Sequence, residues 1–257
     1  MHRFFINEDY IENDVVEISG EDFNHISNSL RLQPGDEIIV SPGNGFDYRV
    51  ELENFDEQTV IGRIIDKEVN ETEPKVNIDL GQAIPKNRNI ELVIQKGTEI
   101  GVNQIIPLDT ERTIVKLSSS KEKRRIKRWQ KISKEAAKQS QRGQIPNIEN
   151  VLDVNNRQMI NNLFSSYDLI LVLYAQDDSF SIKEALKTYK GNNVNKILVL
   201  IGPEGGFTPE EISTFNELGK EHKVATINLG KRILRTETAG LVALSNILYE
   251  FGDLGGK

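Results

Sequence analysis

The rhythm of apolar and polar positions changes once along the chain. Over residues 1 to about 70 the apolar residues come in short runs. Arg3–Ile6, Val15–Ser19, Glu37–Ser41, Phe46–Leu52 and Thr59–Ile65 read as strands. Pro34-Gly35-Asp36 and Pro42-Gly43-Asn44-Gly45 are turn sequences between them. Phe23, Ile26 and Leu30 fall at helical spacing, so Glu21–Leu32 is expected to form one helix. Short strands joined by tight turns predict a small β-barrel. Residues 67–74 are polar and end in proline, which marks a domain boundary. The expected domains are therefore 1–70 and 75–257.

From residue 75 strands and helices alternate. Val76–Ile84 is a strand candidate, and Ile90, Val93, Ile94, Gly97 and Ile100 mark one face of a helix. Gln104–Leu108, Leu169–Ala175, Lys196–Ile201 and Val224–Leu229 follow as strands, with helices between them. One helix carries Ile126, Trp129, Ile132 and Ala136 on its apolar side, and another closes the chain near Leu241–Phe251. Such alternation predicts an α/β domain with a largely parallel sheet covered by helices.

Two segments of this second part carry candidate chemistry. In the first, a buried strand runs through Leu200 and Ile201 into Gly202-Pro203-Glu204-Gly205-Gly206, and a helix follows. Thr208, Pro209 and Glu211 form a capped helix start. Glycines there let a ligand approach the backbone, and free N–H groups can bind it. The loop has neither the lysine of a phosphate loop nor the Gly-x-Gly-x-x-Gly of a dinucleotide fold. From geometry alone, a plain strand-to-helix turn explains it equally well. In the second segment, Leu229-Gly230-Lys231-Arg232-Ile233-Leu234-Arg235-Thr236-Glu237-Thr238-Ala239 again follows a strand and opens a helix. Two such loops after consecutive strands can line one crevice.

Composition narrows the class. Hydrophobic residues make up 37% and charged residues 28% of 257, as in an ordinary globular protein. There is no cysteine, which excludes disulfides, cysteine zinc sites and thiolate nucleophiles. His2, His25 and His222 are isolated, so no metal is expected. The longest apolar run, Leu169–Ala175, is far below the ~20 residues of a membrane span, and residues 1–10 show no apolar signal-peptide core, so neither a span nor a signal peptide is expected. The expectation is a cytoplasmic protein with no membrane partner. The net charge is −7, yet ten basic side chains against two acids lie between Lys121 and Arg142. That local +8 suits contact with nucleic-acid phosphates, although a solvated helix face is the usual fate of charge runs.

Ile-Gly-Pro-Glu-Gly-Gly-Phe followed by Leu-Gly-x-Arg-Ile-Leu-Arg-Thr-Glu-Thr-Ala resembles the RsmE family, the ribosomal RNA small subunit methyltransferases E. Those proteins methylate N3 of a uridine in 16S rRNA. Leu30-Arg31-Leu32, Pro85-Lys86, Gln95 to Gly101, Glu111-Arg112, Arg128-Trp129 and Glu135 to Arg142 match in order, so the resemblance spans nearly the whole chain. Asn24-His25, Lys231 and Ala175-Gln176 depart from the family pattern. The resemblance implies a PUA-like, RNA-binding N-terminal barrel and a SPOUT α/β domain with a C-terminal trefoil knot. It also implies S-adenosyl-L-methionine as cofactor, 16S rRNA or the small ribosomal subunit as partner, and a homodimer.

The resemblance further assigns residues. Gly202, Gly205 and Gly206 would admit the cofactor's sugar and tail. Backbone groups around Leu229, Ile233 and Leu234 would hold its adenine, and Tyr174 and Ala175 would form a third wall. Leu173, Ile201, Pro203, Glu204, Gly230, Arg235, Thr238 and Ala239 complete the cofactor set. Arg235 is the candidate to stabilise charge on a deprotonated uridine, with Glu237 as proton acceptor or as its orienting group. First-turn interaction with the helix dipole is the competing account of Glu237. Arg3, Arg31, Lys86, Lys96, Arg112, Gln139 and Arg142 are candidate RNA contacts. Two other readings compete: a SPOUT ribose 2′-O-methyltransferase, and a non-catalytic RNA-binding assembly factor. Asn89–Gly101 contains no arginine, which weighs against the first. Cofactor binding would exclude the second.

Overall fold

The computed structural model describes residues 1–87, 89–115, 119–174, 180–190 and 194–255. The chain forms two compact units. One is Met1–Glu73 with Ala137–Ile145, and the other is Pro74–Ala136 with Pro146–Lys257. Residues 137–145, which the sequence pattern placed in the second domain, thus pack within the first unit.

The first unit is a six-stranded sheet. Its strands are β1 (His2–Phe4), β2 (Ile11–Glu12), β3 (Val15–Ser19), β4 (Glu37–Val40), β5 (Phe46–Phe55) and β6 (Thr59–Val69), in the order β1-β4-β5-β6-β3-β2. Alternate residues face its core: Val16 and Ile18 in β3, Ile38 and Val40 in β4, Val50 and Leu52 in β5 are fully buried. Gly43 and Gly45, both at positive φ, turn the chain from β4 into β5.

Glu21–Leu32 is not one regular helix. A short α1 (Gly20–Asn24) runs into a π-helical turn over His25–Leu30, and Arg31 ends it in the left-handed region at φ 55. Asn24 donates to the Gly20 carbonyl, and Asn28 donates to Asn24. Such side-chain bonds compete with the regular helical ladder. The apolar face survives, with Ile26 buried and Phe23 and Leu30 packed on the core.

The second unit holds a parallel sheet in the order β10-β8-β7-β13-β11-β14-β12. These are β7 (Asn77–Ala83), β8 (Gln104–Asp109), β10 (Leu152–Asp153), β11 (Leu169–Leu173), β12 (Phe180–Ser181), β13 (Lys196–Ile201) and β14 (Val224–Asn228). The two-residue β9 (Asn147–Ile148) pairs with β8. Its central strands are buried on both faces, as a continuous apolar sequence requires. In β13, Ile197, Val199 and Ile201 enter one core while Leu198 and Leu200 enter another.

Helices α2 (Asn89–Ile100) and α7 (Thr236–Phe251) pack on the first of these cores, and α6 (Pro209–Leu218) on the second. The others are α3 (Ser119–Gln139), α4 (Arg157–Phe164) and α5 (Ile182–Tyr189). The closing helix begins at Thr236, five residues before the expected Leu241, and ends where Gly252 takes φ 84. Trp129 of α3 is 1% exposed and belongs to the core. At the amino ends of the strands, the buried Asp79 accepts from Tyr167, Asn103 and Gln104. Burial and the Asp79 carboxylate push the Tyr167 phenol well above its ordinary range.

Candidate active site

Strands β13, β11 and β14 lie side by side and run parallel, so their carboxyl ends share one edge. Leu173 stands level with Ile201 on one side and with Ile227 on the other. The loops that leave β13 and β14 enclose a cleft of about 510 Å³. Small-molecule sites typically span ~300–1,000 Å³, and open α/β sheets place them at this edge.

The first loop is built for close approach. An added Cβ on Gly202 would sit 2.9 Å from the Phe207 nitrogen, so no larger residue fits there. Gly206 takes φ +68 and closes a turn by donating its N–H to the Pro203 carbonyl at 2.8 Å. Thr208 then caps α6 in a complete capping box with Glu211, and Pro209 occupies the first turn. Glu211 is itself buried and accepts from the Glu111 N–H at 2.9 Å. Arg112 donates to the Gly205 carbonyl at 2.7 Å. These contacts fix both ends of the glycine turn.

The second loop is tied to the first. Thr236 opens α7 and is 5% exposed. Its hydroxyl donates to the Gly202 carbonyl at 2.6 Å and accepts from Gln82 Nε2 at 2.9 Å. Gln82 is fully buried on β7, level with Ile201 on β13. A chain of three groups thus joins β7, the β13 loop and the α7 start. Gly230, at φ +98, has open space where a Cβ would point.

The cleft brings together most of the residues proposed for the cofactor. Leu173 and Tyr174 line it from β11. Ile201, Gly202, Pro203, Glu204, Gly205 and Gly206 line it from the β13 loop. Leu229, Gly230, Ile233, Leu234, Arg235 and Ala239 line it from the β14 loop and α7. Ile233 is 95% exposed at its rim, an unusual setting for a large apolar side chain. Ala175 lies outside the described residues. Thr238 is exposed and is not part of the lining, because two positions along the helix, roughly half a turn, point it away while Thr236 faces in. Asn228, Arg232 and Thr236 line the cleft although the sequence reading did not assign them to it. The Thr-x-Thr pair at a strand-to-helix junction was the available signal for Thr236; nothing local points to Gln82.

Arg235 and Glu237 part company. Arg235 is exposed and lines the cleft. Glu237 is 9% exposed, is absent from the lining and accepts from Asn89 Nδ2 at 3.1 Å.

The candidate RNA contacts also divide. Arg31 and Gln139 in the first unit are exposed, as is Lys86 in the second. Lys96 is half-exposed and pairs with Glu99 at 2.8 Å. Arg112 holds the glycine turn. Arg3 and Arg142 depart from the expectation. Arg3 is ion-paired to Asp47 with its side chain 6% exposed, and Arg142 to Glu73 with 5% exposed. Their guanidinium groups serve the interior of the first unit. Burial would raise the Asp47 carboxyl, but hydrogen bonds from Arg3, Ser41 and Asn70 hold it below its ordinary value.

The chain is similar over its full length to known proteins. Residues 72–248 match an RNA methyltransferase domain, and residues 18–65 match an RNA methyltransferase PUA domain. The ribosomal RNA small subunit methyltransferase E of Bacillus subtilis is 34% identical, covering 100% of this chain and 99% of its own length.

The chain belongs to the ribosomal RNA small subunit methyltransferase E family.

The family's protein from Mesomycoplasma hyopneumoniae is 33% identical over 97% of this chain and 100% of its own. A crystal structure of the Neisseria gonorrhoeae family member bound to S-adenosyl methionine superposes with a TM-score of 0.85 at 28% identity. It covers 99% of this chain and 100% of that one. A putative methyltransferase from Legionella pneumophila with bound cofactor SAM gives 0.80 at 30% identity, covering 96% of each chain. The fold is therefore the family's pairing of a PUA-like domain with a SPOUT methyltransferase domain.

Proposed function

We propose that the cleft at the ends of β11, β13 and β14 holds S-adenosylmethionine, and that the protein methylates N3 of a uridine in 16S rRNA. As a family member the chain is an S-adenosylmethionine-dependent rRNA methyltransferase. The observation that carries the reading is the joining of two glycine-bearing loops into one cleft of about 510 Å³. The residues present fit the cofactor. Leu173, Leu229 and Leu234 offer apolar walls, and Gly205 and Gly206, more open to solvent than the buried Gly202, bring backbone without side chains to the lining.

When bound, the cofactor supplies an electrophilic methyl group. The protein's part is alignment and charge. Arg235, at the rim, faces the position where negative charge builds on the uridine oxygens as N3 loses its proton. Glu237, bonded to Asn89, orients the start of α7. Arg31, Lys86, Lys96 and Gln139 remain the RNA contacts of this reading, with the 1–70 domain as an RNA-binding module. The trefoil knot, the homodimer and a cytoplasmic location belong to the same proposal. Among the described residues no helix is long and apolar enough to cross a membrane.

Calorimetric titration with S-adenosylmethionine tests it. Wild type binds saturably, Gly202→Val loses binding while folded, and Arg235→Ala retains it. A folded wild type that binds no cofactor, with or without RNA, overturns the reading.

A further inference from the structure

The cleft leaves unexplained the arginines near the start of α3. A second cavity, of about 260 Å³, lies between the beginning of α2 and this part of α3. Arg124, Arg125 and Arg128 line it from α3, with Asn87 and Glu91 opposite. Residues four apart on a helix are neighbours, so Arg124 and Arg128 project together. Trp129, 1% exposed, closes the floor. Arg128 is satisfied by Glu91 at 2.8 Å. Among the described residues neither Arg124 nor Arg125 has a hydrogen-bond or ion-pair partner.

Three guanidinium groups and one carboxylate therefore share one small concavity in a chain of net charge −7. With Arg128 offset by Glu91, the cavity keeps an excess of positive charge, and such an excess in a concavity attracts the opposite charge. Guanidinium forks match phosphate oxygens. The cavity also has a defined neighbour. Asn89, in the first turn of α2, donates to Glu237 in the first turn of α7, two residues after Arg235 of the cofactor cleft.

We propose that this arginine cavity takes a backbone phosphate of the RNA strand beside the nucleotide presented to Arg235. The inference rests on the RNA-methyltransferase reading above and adds the place where the substrate strand is gripped. Arg124 and Arg125 make the contact, and Arg128 and Glu91 shape the wall.

Binding of unmethylated 16S rRNA, measured across a salt series, tests it. Arg124→Ala/Arg125→Ala is compared with a charge-matched control on the same helix, Lys121→Ala/Lys123→Ala. The arginine variant is expected to bind roughly tenfold or more weakly, as loss of a charged hydrogen bond implies. The slope of log affinity against log salt is expected to shrink by about 1. S-adenosylmethionine affinity and melting temperature stay at the wild-type values. A control that weakens binding as much as the arginine variant would reduce the cavity to diffuse helix charge and overturn the proposal. So would an arginine variant with unchanged affinity and salt slope. A wild type that binds cofactor but no RNA would sink the proposal and spare the cofactor site; one that binds neither would sink both.

Discussion

The hydroxyl of Thr236 donates to the carbonyl of Gly202 across 2.6 Å, and so ties the start of α7 to the glycine loop after β13. Both groups border the cleft. The same hydroxyl accepts from the buried Gln82, so one atom serves three elements.

Thr236→Val keeps the shape and removes both bonds. A stability loss of about 1–3 kcal/mol is expected, because the Gly202 carbonyl and the Gln82 amide lose a partner in a buried place. Affinity for S-adenosylmethionine is expected to fall roughly tenfold as the loop loses its preorganisation. Thr236→Ser is expected to keep both. Thermal unfolding and calorimetry read the two effects. Unchanged values in the valine variant would show that the hydroxyl is idle.

The two glycines of the first loop are expected to fail differently. Gly202→Ala puts a Cβ 2.9 Å from the Phe207 nitrogen and 3.1 Å from the Gly206 carbonyl carbon, so the turn must open and cofactor binding is lost. Gly206→Ala meets nothing within 4 Å but places alanine at φ +68, which costs about 1–2 kcal/mol. Parallel melting and cofactor titration separate them. Equal cofactor affinity in both variants contradicts the account.

Arg235 and Glu237 are separated by their surroundings. Arg235→Ala is expected to bind the cofactor within about threefold of wild type and to lose roughly 10²–10³ in methyl-transfer rate. Glu237→Gln can still accept from Asn89, so its turnover is expected to stay within about tenfold, short of what losing an efficient general base costs. A loss of a thousandfold in Glu237→Gln would make that carboxylate the proton acceptor instead. Single-turnover transfer of labelled methyl decides between them.

In the first unit, the Asp47 carboxyl is held below its ordinary value in the folded state. The folded chain therefore binds this proton less readily than the unfolded chain. The resulting stability is fully present above the unfolded value of about 4 and is lost as pH falls through the lower folded value. Asp47→Asn is expected to flatten that acid limb. It leaves Arg3 buried without its carboxylate, at a cost of about 3–5 kcal/mol near neutral pH. Denaturant unfolding at pH 7 and pH 3 measures both, and an acid limb as steep as wild type in Asp47→Asn would contradict the assignment.

Much of the site was legible because its signals are local. Each glycine loop follows a strand, buried from Ile197 onward in β13 and at alternate residues in β14, and leads to a helix within a dozen residues, so local pattern finds such units. Gln82 was hidden because its role depends on β7 lying beside β13, a register between residues 119 positions apart, Gln82 and Ile201. Arg3 and Arg142 were misread for the same reason: Asp47 lies 44 residues from Arg3, and Glu73 lies 69 from Arg142. Thr238 was preferred to Thr236 because the start of α7 sets which threonine faces inward, and helix starts are poorly marked when the cap makes no side-chain bond. The π-helical turn over His25–Leu30 was read as a plain helix because both present a similar apolar stripe.

The proposed reaction is methyl transfer to uridine N3 through the β13 and β14 loops. The most direct test incubates the protein with S-adenosylmethionine and 16S rRNA from cells lacking the modification, then digests the RNA and identifies the methylated nucleoside by mass spectrometry. Wild type is expected to yield 3-methyluridine and Gly202→Val none. A 2′-O-methylated nucleoside, or no methylated nucleoside from a wild type that binds cofactor and RNA, would contradict it.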